Sequence, residues 1–476
     1  MIADLKPYPA MKDSGVPWLG EVPEHWEVRR LGQIGRLSKG VGGSKDDEEL
    51  SGVPCVRYGD LYTTHTFFIE MSRSFVSPAT AKTYTAIRFG DVLFAASGET
   101  IDDIGKSAVN LIQSAACCGG DVILFRPERA LDPRYIGYAT DCRPAAAQKA
   151  AIGRGITVKH IYSDQLRYLT IALPPLPEQS AIARFLDLAD RRIRRYVRAK
   201  QKLIKLLEEQ KQAVIHRAVT RGLDANVRLK PSGIEWLGEV PEHWEIRRNG
   251  RLFAQRNETG FAGLPILEVS LKTGVRVRDF KDGTRKQVMF DHDRYKKAAA
   301  GDIAYNMMRM WQGAVGIAPT DGLVSPAYVV ARPLDSIDVG YYEYLFRTTM
   351  YMREVNNCSR GIVQDRNRLY WEDFKQIPSP FPPLEEQKRI ADTLVELSRA
   401  ANDTINKTNA TISLLREYRT RLIADVVTGK LDVRAAAASL PDEADAPEAP
   451  DDTGVLAEGD EAADDDLDAA TEEAEA

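Results

Sequence analysis

Apolar residues recur at alternating steps of three and four along two long stretches of this chain, and each stretch is predicted to be a helix. The first runs from Pro177 to about Thr220 and has no glycine or further proline. Its apolar positions form a narrow seam of the coiled-coil kind rather than a broad globular face. Pro177 suits the first helical position and Gly222 follows as a stop. About 43 helical residues would extend roughly 65 Å.

The second helix is predicted from about Leu384 to Thr428. Threonines occupy the seam positions in its middle, so Ile405 and Ile412, one residue later, are expected to replace them, which implies a stutter. An isolated helix with so narrow a seam is marginal, and we therefore expect the two helices to pack antiparallel. The seam residues, which are also candidates for partner contact, are Ile182, Leu186, Ile193, Leu203, Leu207, Ile390, Leu394, Leu397, Leu415 and Leu422.

A mixed segment of short β-branched and aromatic runs precedes each helix, with Gly, Asp and Pro between the runs. The predicted strands are residues 52–61, 89–97, 121–127, 263–271, 300–307 and 327–333, and residues 135–140 and 341–348 are expected to be helical. The predicted fold class is α+β: two pseudo-symmetric mixed domains separated by the two long helices, packed as an antiparallel coiled coil.

The chain contains an internal duplication. Residues 14–30 and 232–248 differ at three of 17 positions, and both include WLGEVPEHWE. PPLPEQSAIA at residue 174 matches PPLEEQKRIA at residue 382. The ends of each unit are kept while the middle varies, as expected of a rigid frame that carries variable loops. His25 and His243 occupy matched positions beside Trp26 and Trp244, so we expect them to serve packing rather than catalysis.

Charge is distributed unevenly along the chain. The formal net charge is −5, but residues 441–476 hold 16 Asp and Glu and no Lys or Arg. Residues 1–440 therefore carry 64 basic against 53 acidic residues, or +11. A basic body suits a phosphate backbone. The acidic tail, which is expected to be disordered, could be a charge shield for the basic surface or simply a solubilising segment.

Little in the sequence points to a metal, a membrane or an enzyme. The five cysteines form no CxxC pair or Cys/His cluster, and no segment is long and apolar enough to be a membrane span. We therefore expect a reduced, cytoplasmic protein. The segment GETIDDIGKS at residue 98 lacks the glycine that a phosphate-binding loop would need at Thr100. A polar recognition loop is the favoured interpretation.

These motifs resemble those of the specificity subunits of type I restriction–modification systems. The resemblance rests on the two WLGEVPEHWE and two PPLxEQ segments, and on FGDVLFAASGETIDDIGK, SPAYVVARP and SRGIVQDRNRLYWEDFKQIPSPFPPLEEQ. It covers nearly everything from about Asp13 to Asp432. The family's pattern does not account for the acidic tail, whose role stays open.

The resemblance implies a non-catalytic subunit in which each mixed domain reads one half of a split double-stranded DNA target and the helices set the gap. The implied partners are two methyltransferase (modification) subunits, which methylate adenine, and restriction/motor subunits. S-adenosylmethionine, ATP and Mg are expected in those partners, with no cofactor in this chain. The corresponding domains are residues 1–173 and 225–381 for recognition, 174–224 and 382–433 for the spacer helices, and 434–476 for the acidic tail.

Basic residues on polar or glycine-rich segments are the candidates for DNA contact, since arginine and polar side chains read base edges while other basic groups contact phosphates. The candidates are Lys39, Lys45, Arg57, Tyr58, Ser97, Arg154, Lys159, Lys272, Arg276, Arg309, Trp311, Arg360 and Arg366. Each of them could instead be a solvated surface charge. The basic run at residues 191–200 has three interpretations: solvated charge, a docking surface for a methylating partner, or a track for the DNA backbone.

A second hypothesis from another class is a two-domain protein–protein adaptor that uses the same helical spacer without DNA specificity. Salt dependence of DNA binding separates the two hypotheses, because binding by a basic surface weakens steeply as salt rises.

Overall fold

The computed structural model describes residues 5–43, 45–98, 104–153, 159–271, 273–278, 294–334, 337–361 and 367–440. These residues form two compact units. The first contains the chain up to residue 199 together with residues 410–440, and the second contains residues 200–409. Each long helix thus contributes one half to each unit, whereas the boundaries drawn from the sequence assign the helices to separate spacer segments.

The first unit is built mainly from short strands. They are β1 (Met11–Asp13), β2 (Glu21–Pro23), β3 (Glu27–Arg30), β4 (Gly35–Lys39), β5 (Val53–Val56), β6 (Phe67–Ile69), β7 (Ser74–Val76), β8 (Thr85–Ile87), β9 (Val92–Ala95), β10 (Ser97–Gly98), β11 (Ser107–Asn110), β12 (Ala116–Cys118), β13 (Val122–Pro127), β14 (Lys159–His160) and β15 (Thr170–Leu173). Its helices are α1 (Leu31–Ile34), α2 (Tyr58–Thr63), α3 (Pro78–Ala81), α4 (Pro133–Asp141), α5 (Arg143–Ile152), α6 (Ser163–Leu166) and the first half of α7 (Leu176–Arg221).

The second unit repeats this plan with fewer elements. Its strands are β16 (Leu229–Pro231), β17 (Glu239–Pro241), β18 (Glu245–Arg248), β19 (Phe253–Arg256), β20 (Leu267–Ser270), β21 (Gly274–Val277), β22 (Lys296–Ala298), β23 (Ile303–Asn306), β24 (Val315–Ile317), β25 (Gly322–Val324), β26 (Tyr328–Pro333) and β27 (Pro378–Phe381). Its helices are α8 (Val339–Phe346), α9 (Thr349–Cys358), α10 (Trp371–Phe374) and the first half of α11 (Leu384–Val427). The short helix α12 (Arg434–Ala438) follows α11 and belongs to the first unit.

The main sheets of the two units have the same strand order. In the first unit the order is β4-β13-β9-β11-β6, and in the second it is β19-β26-β23-β24. The strands β4, β13, β9 and β11 thus correspond to β19, β26, β23 and β24, and the first unit adds β6 in parallel to β11. A further sheet of the first unit has the order β7-β5-β12-β8. The internal duplication therefore extends from sequence to topology.

Within each unit the halves of α7 and α11 pack antiparallel. In the first unit Asp190 forms an ion pair with Arg419, while Glu178, twelve residues earlier, bonds to Trp26 beside Gly429. In the second unit Lys211 Nζ donates to Asn402 Oδ1 at 3.0 Å. Further along α7, Gly222 lies against Glu386. Residue numbers rise along one helix as they fall along the other, so the antiparallel pairing predicted from the seam is confirmed.

The two repeated motifs contact each other at the start of each long helix. Glu178 Oε1 accepts from Trp26 Nε1 at 3.1 Å, and Glu178 Oε2 lies 2.9 Å from His25 Nε2. In the second unit Glu386 Oε2 accepts from Trp244 Nε1 at 3.1 Å and lies 2.8 Å from His243 Nε2. In both units, therefore, the tryptophan and the histidine of the repeated segment contact the glutamate at the start of a long helix, and we call this cluster the joint. Both histidines have the structural role expected of them.

The glutamine that follows each glutamate completes the joint. Gln179 accepts from the backbone N–H of Asp132 at 3.0 Å and donates to the Pro174 carbonyl at 2.9 Å. Gln387 makes the equivalent bonds to the N–H of Asp338 at 2.9 Å and the carbonyl of Pro382 at 2.7 Å. Both glutamines are buried, so each satisfies backbone groups that would otherwise be unpaired in the interior.

The seam is buried at the ends of the helices and more open in the middle. Ile182, Leu186, Ile193, Ile390, Leu394 and Leu422 are buried, Leu207, Leu397 and Leu415 are half-buried, and Leu203 is 39% exposed. Ile405 and Ile412 are buried while Thr404 and Thr411 are exposed, as the predicted stutter requires, but Thr408, a third threonine of the seam, is buried as well.

Two differences from the sequence-based elements concern segment ends. The run 52–61 was predicted as one strand, but β5 ends at Val56 because Asp60 accepts a hydrogen bond from the N–H of Arg57 and begins α2. The predicted acidic tail starts at residue 434, yet α12 is ordered, and Ala437 and Leu440 are buried in the core of the first unit. Residues 441–476 lie outside the described residues.

Candidate nucleic-acid interface

A buried carboxylate–guanidinium pair supports the central strand of each main sheet. Asp91, just before β9, is 2% exposed and accepts from the N–H of Arg88 at 2.7 Å and from Arg126 Nη2 at 2.6 Å. This hydrogen bond raises the pKa of Arg126. Asp302, just before β23, makes the matching bonds to the N–H of Ala299 and to Arg256 Nε. Each pair fixes where the following strand begins.

The chain leaving β9 meets the segment that precedes α6. Ser97 and Gly98 of β10 pair antiparallel with His160 and Lys159 of β14, and the N–H of Ile161 donates to the carbonyl of Ala96 at 2.9 Å. The Ser97 hydroxyl lies 3.0 Å from His160 Nδ1. Two of the predicted candidates, Ser97 and Lys159, are therefore neighbours in space although 62 residues apart in sequence. We call β10 and β14 the first recognition edge.

Aromatic side chains surround the first recognition edge. The Tyr62 hydroxyl donates to the Ser97 carbonyl, and its ring meets that of Tyr58 edge-on at 6.4 Å. The Tyr162 ring stacks on His160 with centroids 6.5 Å apart. Tyr58 is 46% exposed and Tyr162 is 55% exposed. Exposed rings beside hydrogen-bonding groups suit contact with nucleic-acid bases and sugars.

The second unit repeats one backbone hydrogen bond of this arrangement at the equivalent place. After β23 the chain passes through Met307 and Met308 to Arg309, and the N–H of Leu369 donates to the Met307 carbonyl at 2.8 Å. Leu369 corresponds to Ile161, since both precede the tyrosine that begins a short helix, α10 or α6. We call residues 308–309 together with 367–368 the second recognition edge.

Two of the four residues of the second recognition edge are arginines, Arg309 and Arg368. Arg360 and Arg368 form an antiparallel bridge with backbone hydrogen bonds of 3.0 and 2.9 Å. Arg360 is 71% exposed and its Nε donates to Asp373 Oδ1 at 3.1 Å. Trp311 Nε1 donates to the Met308 carbonyl at 2.9 Å, which holds the indole against the edge. The candidates Trp311 and Arg360 therefore each contact this edge, and the candidate Arg309 is part of it.

Three other candidates lie apart from these contacts. Lys39 is exposed at the end of β4. Ile123 of β13 lies between Lys39 on one side and Phe94 of β9 on the other. Lys39 therefore lies at the end of the sheet where β9 leads into β10. Arg57 has an 18% exposed side chain, and its Nε and Nη2 are buried without a hydrogen-bond partner in the part of the chain that the structure describes. Arg276 is about half exposed on β21 and forms an ion pair with Glu268.

The structure leaves some candidates without a described side chain. Lys45 begins a 3₁₀ helix and Lys159 lies in β14, but only their backbone positions are described. Arg154, Lys272 and Arg366 lie outside the described residues.

Sequence reasoning missed four residues at the recognition edges: Tyr62, His160, Tyr162 and Arg368. His160 and Arg368 are separated by 208 residues, the same offset that relates the two PPLxEQ motifs. That offset is the signal that could have found them, because it places both at one position of the duplicated frame. The pairing of His160 with Ser97, and of the segment that contains Arg368 with the segment that contains Arg309, depends on long-range backbone contacts that no local pattern specifies.

Other kinds of site find little support. Among the residues that the structure describes, no group of three or more His, Cys, Asp or Glu could hold a metal ion. Across the same residues, every helix is too short or too polar to traverse a lipid bilayer.

A duplicated frame with two long helices and polar, partly basic edges defines a two-domain recognition protein. The family model described as the type I restriction modification DNA specificity domain matches residues 23–205 and again residues 238–414. The two matches together cover more than half of the chain. The chain belongs to the type I restriction–modification specificity family and carries two copies of its domain.

Curated relatives agree with this assignment. The putative type I restriction enzyme MjaX specificity subunit of Methanocaldococcus jannaschii is 26% identical over 444 residues, which span 87% of this chain and 96% of the relative. The type I restriction enzyme EcoKI specificity subunit of Escherichia coli is 22% identical over 437 residues, which span 87% of this chain and 90% of the relative.

Solved structures share the fold. A chain from a structure concerned with complex assembly and conformational transition of the type I R-M system has a TM-score of 0.63 at 17% identity, and the match covers 86% of this chain and 99% of that one. The HsdS subunit from Thermoanaerobacter tengcongensis has a TM-score of 0.51 at 18% identity, with 86% and 98% covered. The predicted fold class and the predicted family are both confirmed. This chain is a DNA sequence-recognition subunit, and the adaptor hypothesis is not supported.

Proposed function

We propose that each of the two domains of this recognition subunit reads one half of a split DNA target, and that α7 and α11 set the gap between the halves. The observation that carries the proposal is the equivalence of the two recognition edges. Both leave the central strand of the main sheet at the same point, and both lie against the segment before a short helix. Two copies of one reading device on a common helical frame suit a two-part target.

We further propose that the chain has no catalytic activity of its own and works with two methyltransferase subunits and with restriction/motor subunits. The relatives are named as subunits of type I restriction enzymes, and one structural neighbour concerns assembly of such a system. S-adenosylmethionine, ATP and Mg are expected to bind those partners. DNA and these partners would meet the chain in the cytoplasm.

The exposed arginines of α7 are the proposed docking or backbone-contacting surface. Arg191, Arg192, Arg194 and Arg195 are exposed, and Arg194 Nε lies 2.8 Å from Asp190 Oδ2 one turn earlier. Asp190 also pairs with Arg419 of α11, so one carboxylate connects the two helices to this surface. A partner subunit with acidic groups, or the phosphates of the gap, would complement it.

The experiment that tests the function combines this chain with its cognate modification subunits. The purified chain with S-adenosylmethionine is expected to methylate no DNA, and the complex is expected to methylate adenine within a split target. Methylation by the highly purified chain alone would contradict the non-catalytic assignment. DNA binding by the complex should weaken linearly on a log–log plot as salt rises, because phosphate contacts release counterions. Binding that ignores salt would count against a DNA-reading basic surface.

A further inference from the structure

The frame and the recognition edges have diverged to very different degrees since the duplication. At the joints the same residues recur in both units: Trp26 and Trp244, His25 and His243, Glu178 and Glu386. At the edges the backbone hydrogen bonds recur, at 2.9 Å in the first unit and 2.8 Å in the second, but the side chains do not. Position 160 is histidine where position 368 is arginine, and Ser97 corresponds to Met308. A constant backbone with changed side chains is what two readers of different sequences require.

The support beneath each edge is rigid. The buried Asp91–Arg126 and Asp302–Arg256 pairs fix the start of the strand that leads to each edge, and the strand itself lies in the middle of its sheet. The edge is then held on its other side by the backbone bond to Ile161 or Leu369. Side chains that discriminate bases must be positioned to within a fraction of an ångström, and rigid elements do this better than free loops.

We infer that base recognition is centred on these paired edges, with His160 and Ser97 reading bases in the first domain and Arg368 and Arg309 reading bases in the second. This rests on the proposed function, which it deepens by assigning the residues that specify each half-site. Because His160 Nδ1 bonds to Ser97, the opposite ring nitrogen, Nε2, points a second hydrogen-bonding group away from that contact. Nε2 makes no hydrogen bond within the described part of the chain.

The chemistry of the two edges differs in a way that predicts different bases. An imidazole with a serine hydroxyl can offer both donors and acceptors, whereas a guanidinium offers donors only. Paired donors of that kind match O6 and N7 of guanine in the major groove. The half-site read by the second domain is therefore expected to include a guanine whose recognition depends on Arg368.

The test uses the complex of this chain with its modification subunits and measures methylation across a library of duplexes randomised in both half-sites. His160→Ala should relax the first half-site at one base pair, and Arg368→Ala should relax the second, each by roughly ten- to a hundredfold in discrimination. The half-site read by the unmodified domain and the gap should stay unchanged in each case, and so act as the internal control.

Two further variants keep the result interpretable. Arg332→Ala removes an exposed arginine at the other end of β26, away from the edge, and should leave both half-sites unchanged. Arg368→Lys keeps the positive charge but loses the planar pair of donors. A base-reading arginine loses discrimination in the lysine variant, whereas an arginine that contacts only phosphate keeps it.

Several outcomes would overturn the inference while leaving the proposed function standing. One is that His160→Ala and Arg368→Ala methylate the same targets as the native complex. Another is that they slow methylation equally on every sequence, which would assign the edges to phosphate contact. If instead the native complex methylates no split target, the proposed function fails and takes this inference with it.

Discussion

At the scale of single residues, two glycines show how closely the long helices approach the repeated tryptophans. Gly429 has φ +77, and a Cβ there would lie 2.6 Å from Pro23 Cγ and 3.1 Å from Trp26 Cζ3. Gly222 has φ +75, but a Cβ there would meet its nearest atom, Glu386 Oε1, at 3.1 Å. Both positions require a left-handed backbone, but a Cβ at residue 429 would overlap the ring of Pro23, whereas at residue 222 the Cγ of the matching Pro241 would lie 4.0 Å away. The two joints therefore contain the same residue types, but the joint of the first unit leaves less room for a side chain at its glycine.

Alanine substitution at the two glycines should consequently have unequal effects. Gly222→Ala is expected to lower the free energy of unfolding by about 1–2 kcal/mol, the strain of a left-handed non-glycine residue. Gly429→Ala should cost about 2–5 kcal/mol, because overpacking adds about 1–3 kcal/mol to that strain. Urea denaturation of the two variants measures both values. Equal losses, or a larger loss at Gly222, would show that the helix end in the first unit is less closely packed than described.

The buried imidazole of His65 is expected to make the stability of the folded chain depend on pH. The ring is 7% exposed, its Nε2 has no hydrogen-bond partner among the described residues, and burial lowers the pKa of His65 despite the nearby Asp60. The unfolded chain therefore binds a proton near pH 6.5 that the folded chain resists. The folded state loses stability as the pH falls through that value. His65→Gln should lose less stability than the native protein between pH 7.5 and 5.5 in thermal melting. Identical losses would mean that His65 titrates equally in both states.

The sequence identifies the residues of the joints, but it does not identify which of them contact each other. The identical WLGEVPEHWE segments predicted a common structural role, and the 208-residue offset related Glu178 to Glu386. The bond from Trp26 to Glu178 joins residues 152 positions apart, and no local propensity specifies such a pair. The same reason explains why His160 and Arg368 were not singled out.

At the scale of elements, the long helices were the most predictable part of the fold. The predicted limits, Pro177 to Thr220 and Leu384 to Thr428, agree with α7 (Leu176–Arg221) and α11 (Leu384–Val427) to within one residue. Helix start and stop residues are local signals, so the sequence specifies them well. Each of the six predicted strands also contains an observed strand, for example β9 within 89–97 and β26 within 327–333.

The course of the seam was harder to predict than the helix ends. The predicted seam residue Leu203 is 39% exposed, whereas Ile215, which is not among the predicted seam residues, is buried. A straight helix drifts about 20° per heptad from a strict seven-residue repeat, so an error of one position accumulates over 46 residues. Packing against the recognition domain, which the heptad pattern does not encode, then decides which residue is buried.

The lengths of α7 and α11 are expected to set the gap between the two half-sites. Inserting four residues between Lys200 and Leu203 adds about 6 Å while keeping the apolar face nearly in phase. We expect unchanged half-sites and a gap longer by about one or two base pairs at ~3.4 Å each. The matched insertion between Thr408 and Thr411 is the second arm, because one helix alone could absorb the insertion as a bulge. Methylome sequencing reads the gap directly. Two folded, active complexes that both keep the original gap would show that α7 and α11 are not the spacer.

At the scale of the whole molecule, charge is divided between a basic body and an acidic end. Residues 441–476 carry 16 acidic residues, and without them the formal charge changes from −5 to +11. The last described residue, Leu440, is anchored to the first unit, where its carbonyl accepts from Arg184 Nη2 at 2.8 Å. Leu440 therefore lies against α7 at Arg184, seven residues before the basic run that starts at Arg191.

Removing residues 441–476 should accordingly strengthen non-specific DNA binding at low salt. The added net positive charge increases attraction to phosphate, and the effect should disappear as salt screens it. Fluorescence anisotropy with a duplex that lacks the target, at 50 mM and 300 mM salt, measures the difference. A full-length chain whose tail acids are replaced by Asn and Gln is the matched control and should behave like the truncation. Equal affinities of the native and truncated chains at low salt would assign the tail no electrostatic role towards DNA.

An exchange of one recognition domain tests whether the two domains read their half-sites independently. Residues 13–173 would be replaced by the corresponding segment of a relative with a known target, and the methylated sequence of the resulting complex would be determined. We predict that one half-site changes to that of the relative, while the other half-site and the gap stay as they were. A replacement that changes both half-sites together, in a complex that still methylates DNA, would show that the two domains do not read DNA independently.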